Sequence, residues 1–143
     1  MILTDKEIRK LVKEKKLIEP FEEEHLTPNG YDVSSNKHIY ILPRQCCVVV
    51  TDETLKIPNN VVAQIWLKTR YARQGIQATF GMIDAGFEGT LALSLYNASQ
   101  ELVHIPKSGT VAQVVFIRLD KSVEKVYVER SGNYQNQGEE LIK

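Results

Sequence analysis

From residue 38 onward the chain is a succession of short apolar runs separated by turn residues. His38–Leu42, Cys46–Val50, Val61–Leu67, Thr90–Tyr96, Thr110–Leu119 and Glu124–Val128 are β-branched or aromatic and too short for helices. No helical segment alternates with them, which excludes a doubly wound parallel sheet. Two runs are apolar on both faces. Gln64 alone is polar in Val61–Leu67, and Gln113 stands alone among Val111, Val115, Ile117 and Leu119. Strands of that kind belong inside a sandwich or at a subunit interface. The expectation is an all-β domain spanning residues 1–143, which is too short for two domains of ordinary size.

One helix is expected ahead of the strands. Thr4 and Glu7 form a capping box, and Ile8, Leu11 and Val12 share a face. Lys13, Lys15 and Lys16 crowd its far end, where cations suit the helix dipole. Pro20, Pro28 and Asn29-Gly30 then interrupt any regular pattern. Glu22, Glu23 and Glu24 read as a solvated run of like charges.

Composition removes several function classes. Eighteen basic and eighteen acidic residues give zero formal net charge, so a nucleic-acid polymer is not an expected partner. Without a membrane-length apolar run or a signal-peptide pattern, a cytoplasmic protein is expected. Cys46 and Cys47 are adjacent, and neighbours on a strand point to opposite faces, so they do not read as a disulfide. They also lack metal-ligand spacing, and the His-x-Glu with Pro-Cys-x-x-Cys of zinc deaminases is missing.

Three stretches carry candidate chemistry. In Thr79–Gly89, TFGMIDAGFEG, a single carboxylate, Asp84, ends an apolar run punctuated by Gly81, Gly86 and Gly89. Phe87, three residues later, can pack against a flat or ring-shaped ligand, although an Asp beside glycines often only satisfies its own turn. In KTRYARQG, Lys68, Thr69, Arg70 and Arg73 supply three cations and a hydroxyl within six residues. That makes either a compact anion site or a solvated basic turn. Gln113 is the third candidate: a lone amide on an apolar face must be satisfied, by backbone or by ligand.

TFGMIDAGFEG followed by TLALSLYN resembles the central motif of the trimeric dUTPase and dCTP deaminase superfamily, and the likeness runs through nearly the whole chain. The resemblance implies a distorted jelly roll, a dUTPase-like β-barrel or sandwich, with a short amino-terminal helix, assembled as a homotrimer. It assigns Asp84 to the sugar and the attacking water, and Phe87 to the face of the deoxyribose. Backbone around Thr79, Gly81, Met82 and Ile83 reads the base. Lys68, Thr69, Arg73 and, less regularly, Arg70 bind phosphates with Gln113. Asp32, in the Gly30-Tyr31-Asp32 sequence, matches the Asp that holds a water of the Mg²⁺ shell.

The tail, residues 129–143, resembles the closing arm of deaminases, with Tyr134, Gln135 and Gln137 matching and Asn133 standing where they carry Lys. Arg70 and Tyr71 depart from the phosphate motif. The segment between Gly75 and Asp84 is about two residues shorter than in the family, with Ala78 replacing a common Asn. At Ser94, deaminases carry a Glu that acts as general acid and base. A serine hydroxyl does not shuttle protons near neutral pH, and dUTPases also carry Ser there. The resemblance is therefore strongest to an archaeal-type dUTPase. The expected reaction is Mg²⁺-assisted hydrolysis of dUTP to dUMP and pyrophosphate. The alternatives are a dCTP deaminase, a bifunctional dCTP deaminase and dUTPase, or a non-catalytic nucleotide binder.

Overall fold

A computed structural model describes residues 1–141; the last two residues of the expected arm lie outside this description. The chain opens with helix α1 (Asp5–Lys15), capped by the Thr4–Glu7 box and closed by Lys16 in the left-handed conformation. Ile8 is fully buried on its inner face. Two short strands follow, β1 (Ile18–Glu19) and, after a 3₁₀ turn over Glu23–His25, β2 (Leu26–Thr27). β3 (Gly30–Ser34) pairs back on β2 across the Pro28–Asn29 turn.

Next come β4 (Ile39–Ile41), the long β5 (Cys46–Lys56) and β6 (Val61–Leu67). Helical turn α2 (Thr69–Arg73) leads to β7 (Ile76–Gln77), β8 (Met82–Ile83) and β9 (Glu88–Asn97). β10 (Val103–Ile105), β11 (Thr110–Arg118) and α3 (Tyr127–Arg130) complete the order. One sheet runs β2-β3-β11-β6-β8, a second β1-β5-β9-β7, and β4 pairs with β10 as a separate ribbon. Every pairing between these strands is antiparallel.

The core lies between the sheets. Alternation along β9 sends Leu91, Leu93 and Leu95 inward and Ser94 outward. β11 takes the centre of its sheet, with Val111, Ala112, Val114 and Phe116 fully buried. The expectation for Glu124–Val128 fails here. The segment forms no strand, and its last two residues begin α3, because its backbone is drawn to the Asp84 turn: the Tyr127 amide donates to Ala85 O at 2.8 Å. Its apolar residues cover a loop rather than a sheet.

An irregularity in the β5–β9 register between Val50 and Thr54 turns Glu53 inward, as bulges do. Glu53 is 2% exposed and accepts from the Ser34 amide at 2.9 Å and the Ser34 hydroxyl at 2.8 Å. This carboxyl tethers β5 to β3 across the two sheets. Burial raises its pKa above the ordinary carboxylate value, against the Ser34 bonds that lower it. The fold thus prefers the neutral acid. Its contribution to stability is full below the ordinary carboxylate pKa and falls as pH rises through the raised one. Glu53→Gln should therefore flatten the decline in stability between acid and neutral pH. Urea melts of both proteins across that range check this; parallel curves would overturn it.

Candidate active site

Asp84 follows β8 directly, on a turn that carries the chain from one sheet to the other. The turn is held chiefly by backbone bonds. Gly86 N donates to Ile57 O at 3.0 Å, Ile57 N to Phe87 O at 2.9 Å, and Phe87 N to Asp84 O at 3.1 Å. With its main chain fixed, the exposed Asp84 side chain is left free to work.

Beside it opens a cavity of about 470 Å³, lined by Gly81, Met82, Ile83, Phe87, Ser94 and Tyr134 among others. Asp84 is its one carboxylate among the described residues. The structure thus unites most of the residues expected to read base and sugar. Thr79 is exposed and does not line the cavity. Phe87 is 7% exposed and meets the Tyr127 ring edge-on at 5.6 Å. Tyr127 was not anticipated as a wall of this cavity, because its segment reads as a strand.

The tail folds onto its own chain. Gln137 N–H and C=O lie beside Gly89, the Thr90 amide donates to Gln137 O at 2.9 Å, and Gln137 Nε2 donates to Thr90 O at 3.2 Å. Gln135 accepts from the Glu88 amide at 2.9 Å and donates to Gly86 O at 3.2 Å. The Tyr134 amide donates to Tyr127 Oη at 2.9 Å. The three arm residues expected from sequence therefore sit at the cavity, Tyr134 and Gln137 as lining and Gln135 as a fastener.

The expected phosphate site lies elsewhere. Lys68 Nζ is paired with Asp32 Oδ2, and Gln113 Nε2 donates to Thr27 Oγ1 at 2.8 Å. The Arg70 guanidinium donates to Thr110 O and, at 3.1 Å, to Thr110 Oγ1, and lies over the Tyr71 ring at 5.0 Å. Thr69 and Arg73 are exposed. Asp32 and Arg70 line a second cavity of about 560 Å³ that shares no lining residue with the first. Ile83 pairs with Ala63 on β6, whereas Lys68 follows the far end of that strand. Five residues of strand separate Ala63 from Lys68, roughly 16 Å at about 3.3 Å per residue. One chain therefore does not bring Asp84 together with Lys68, Arg70 and Gln113. Spacing in sequence carries no signal for that separation.

As for Mg²⁺, Asp32 Oδ1 is buried without a hydrogen-bond partner, while Oδ2 is taken by Lys68. Among the described residues no group of three or more His, Cys, Asp or Glu is placed to hold a metal. This donor set suits an ion held chiefly by a ligand's phosphates and water, with Asp32 as an outer acceptor. It does not suit a protein cage.

Comparison with known proteins gives a consistent lineage. Residues 33–119 match the dCTP deaminase-like family. A curated relative, the dCTP deaminase of Pyrococcus horikoshii, is 37% identical, with 94% of this chain and 92% of the relative covered. Further relatives are named dCTP deaminase, dUMP-forming. Among solved structures, the 2'-deoxycytidine 5'-triphosphate deaminase of Agrobacterium tumefaciens superposes with a TM-score of 0.72 at 17% identity, over 83% of this chain and 49% of that one. The dUTPase of EIAV gives 0.59 at 20% identity, over 76% and 88%. The structural likeness establishes the all-β, dUTPase-like fold with its short amino-terminal helix.

Docking of the tail depends on Gly89, whose φ is +152° and whose added Cβ would stand 2.9 Å from Gln137 N and 3.1 Å from Gln137 O. Gly89→Ala should release the tail while the sheets persist. Hydrogen exchange at the Thr90 amide should rise at least tenfold; unchanged protection there would refute this account of the docking.

Proposed function

The chain belongs to the dCTP deaminase-like family, and on that premise we propose that its Asp84 cavity takes a pyrimidine deoxynucleoside triphosphate and transforms it. Two reactions are open to such an enzyme, and they draw on different observations. The names of the curated relatives favour deamination of dCTP, with or without release of dUMP, over the hydrolysis of dUTP expected from sequence. The pocket itself favours hydrolysis. The observation that carries this reading is Ser94, which stands outward from the leucine face of β9 and lines the cavity where a deaminating enzyme needs a proton-carrying acid. Among the described residues of one chain, Asp84 is the carboxylate that lines the cavity and the candidate for the base.

In the hydrolytic reading, Asp84 orients a water and takes its proton as the water oxygen bonds to the α-phosphorus. The bond from that phosphorus to the bridging oxygen breaks, giving dUMP and pyrophosphate. Asp32, from the same copy as Lys68, would accept from a water of bound Mg²⁺, whose charge would neutralise the phosphates. Phe87 and Tyr127 wall the sugar side, and Gly81–Ile83 present backbone to the base.

The cations are the missing half. Lys68, Arg70 and Arg73 of the same chain lie toward the other end of β6, so we assign them to the site of a second copy. Exposed Trp66 and Met82, 54% and 51%, supply apolar surface on the same sheet for such an assembly. The protein should sediment near three times 16.3 kDa. A monomer at micromolar concentration would remove the shared site.

Products distinguish the reactions. Pyrophosphate and dUMP from dUTP, with dCTP untouched, support hydrolysis. Conversion of dCTP to dUTP or dUMP supports the deaminase, and turnover of neither leaves a binder. Asp84→Asn should keep the fold and lose roughly 10²–10⁴-fold in rate. Ser94→Glu should weaken dUTP turnover by placing a second negative charge in the cavity near the triphosphate. Unchanged dUTP kinetics in that variant would count against the hydrolytic reading.

A further inference from the structure

We propose that His38 and His104 form a two-histidine site for a divalent transition metal on the outer face of the β4–β10 ribbon, away from the Asp84 cavity and beside the second cavity, which His104 lines with Asp32 and Arg70. The ribbon pairs Tyr40 with His104 and Ile39 with Ile105. Ile39, Ile41, Val103 and Ile105 are its buried side, which leaves His38, Tyr40 and His104 exposed on the other.

The two imidazoles are held in place. Tyr40 lies flat against His104, with centroids 4.4 Å apart and planes within 4°. The His38 ring sits 5.3 Å away at 23°. Their facing nitrogens, His38 Nδ1 and His104 Nε2, are 3.1 Å apart. With metal–nitrogen bonds of about 2.0–2.1 Å, that separation subtends roughly 100° at a shared ion, between the square-planar and tetrahedral angles.

Without metal, the same spacing suits one N–H···N hydrogen bond, and the Lys107 amide also approaches His38 Nδ1 at 3.3 Å. Since that amide donates, His38 Nδ1 presents its lone pair. The ion would take this lone pair and that of His104 Nε2, moving the His104 proton to Nδ1. Water fills the remaining positions, because no third His, Cys, Asp or Glu joins the pair among the described residues. Imidazole donors suit Zn²⁺, Ni²⁺ and Cu²⁺, and among them Cu²⁺ binds most tightly. The ion would clamp the segment before β4 to β10, fastening a two-stranded ribbon that is weak by itself.

The test uses the full-length protein and CuCl₂. Titration calorimetry should give one saturable site per chain. Thermal melts at Cu²⁺ about 100-fold above its dissociation constant should rise by about 9 °C and return with EDTA. Both side chains are exposed, so His38→Ala and His104→Ala should fold normally by near-ultraviolet circular dichroism. Each variant should lose the site and the shift. Absence of saturable binding by the wild type, or binding that survives in either variant, would overturn the proposal and leave a hydrogen-bonded histidine pair. None of these outcomes depends on which nucleotide the enzyme transforms.

Discussion

The backbone of the Asp84–Thr90 turn is the junction on which the structure depends. It leaves β8 in one sheet, enters β9 in the other, and bonds on the way to Ile57, Tyr127, Asn136 and Gln137. These partners come from the start of the β5–β6 connection, the first residue of α3, and the tail. Two glycines make the convergence possible. Gly86 has φ +87°, and an added Cβ would lie 2.5 Å from Val126 Cβ; Gly89 stands against Gln137. Main-chain bonds hold Asp84 in position without using its carboxylate.

Charge is distributed differently in the second cavity. Lys68 and Asp32 neutralise one another, and Arg70 is engaged with Thr110 and Tyr71. The part-buried Lys68–Asp32 pair and the exposed Arg70 contacts orient the cations. An arriving triphosphate would compete with Asp32 for Lys68. In the proposed shared site, the separation of acid and cations along β6 is the reason a second copy is needed: neither end of the strand holds both. The buried Glu53 behind β3 is a further cost of the architecture, offset in part by its two bonds to Ser34.

The reaction turns on a single side chain. The relatives' names and the pocket's chemistry pull apart at Ser94, where a hydroxyl faces the cavity. At 37% identity a lineage is secure while one replaced acid can redirect the chemistry, because a proton shuttle needs a group whose pKa lies within reach of the working pH. The connection before Asp84 lies at the same cavity. β8 there is Met82–Ile83, and Gly81 is exposed among the lining residues.

Local pattern determined the elements. Capping chemistry set the first helix, short β-branched runs bounded by turn residues set β6, β9 and β11, alternation set the outward face of Ser94, and the glycines marked the turn that carries Asp84. Such features depend on neighbours within a few residues, so sequence alone contains them. Tertiary structure decided the rest. Glu124–Val128 has the composition of a strand, yet its backbone bonds go to a loop distant in sequence, and a short helix begins there instead. Lys68 and Asp84 are sixteen residues apart and read as one site, but an antiparallel return sets them at opposite ends of the same strand. Glu53 looks like an ordinary surface acid until a register irregularity turns it inward. In each case the deciding partner is far away along the chain, and pairing between distant segments leaves no mark on local composition.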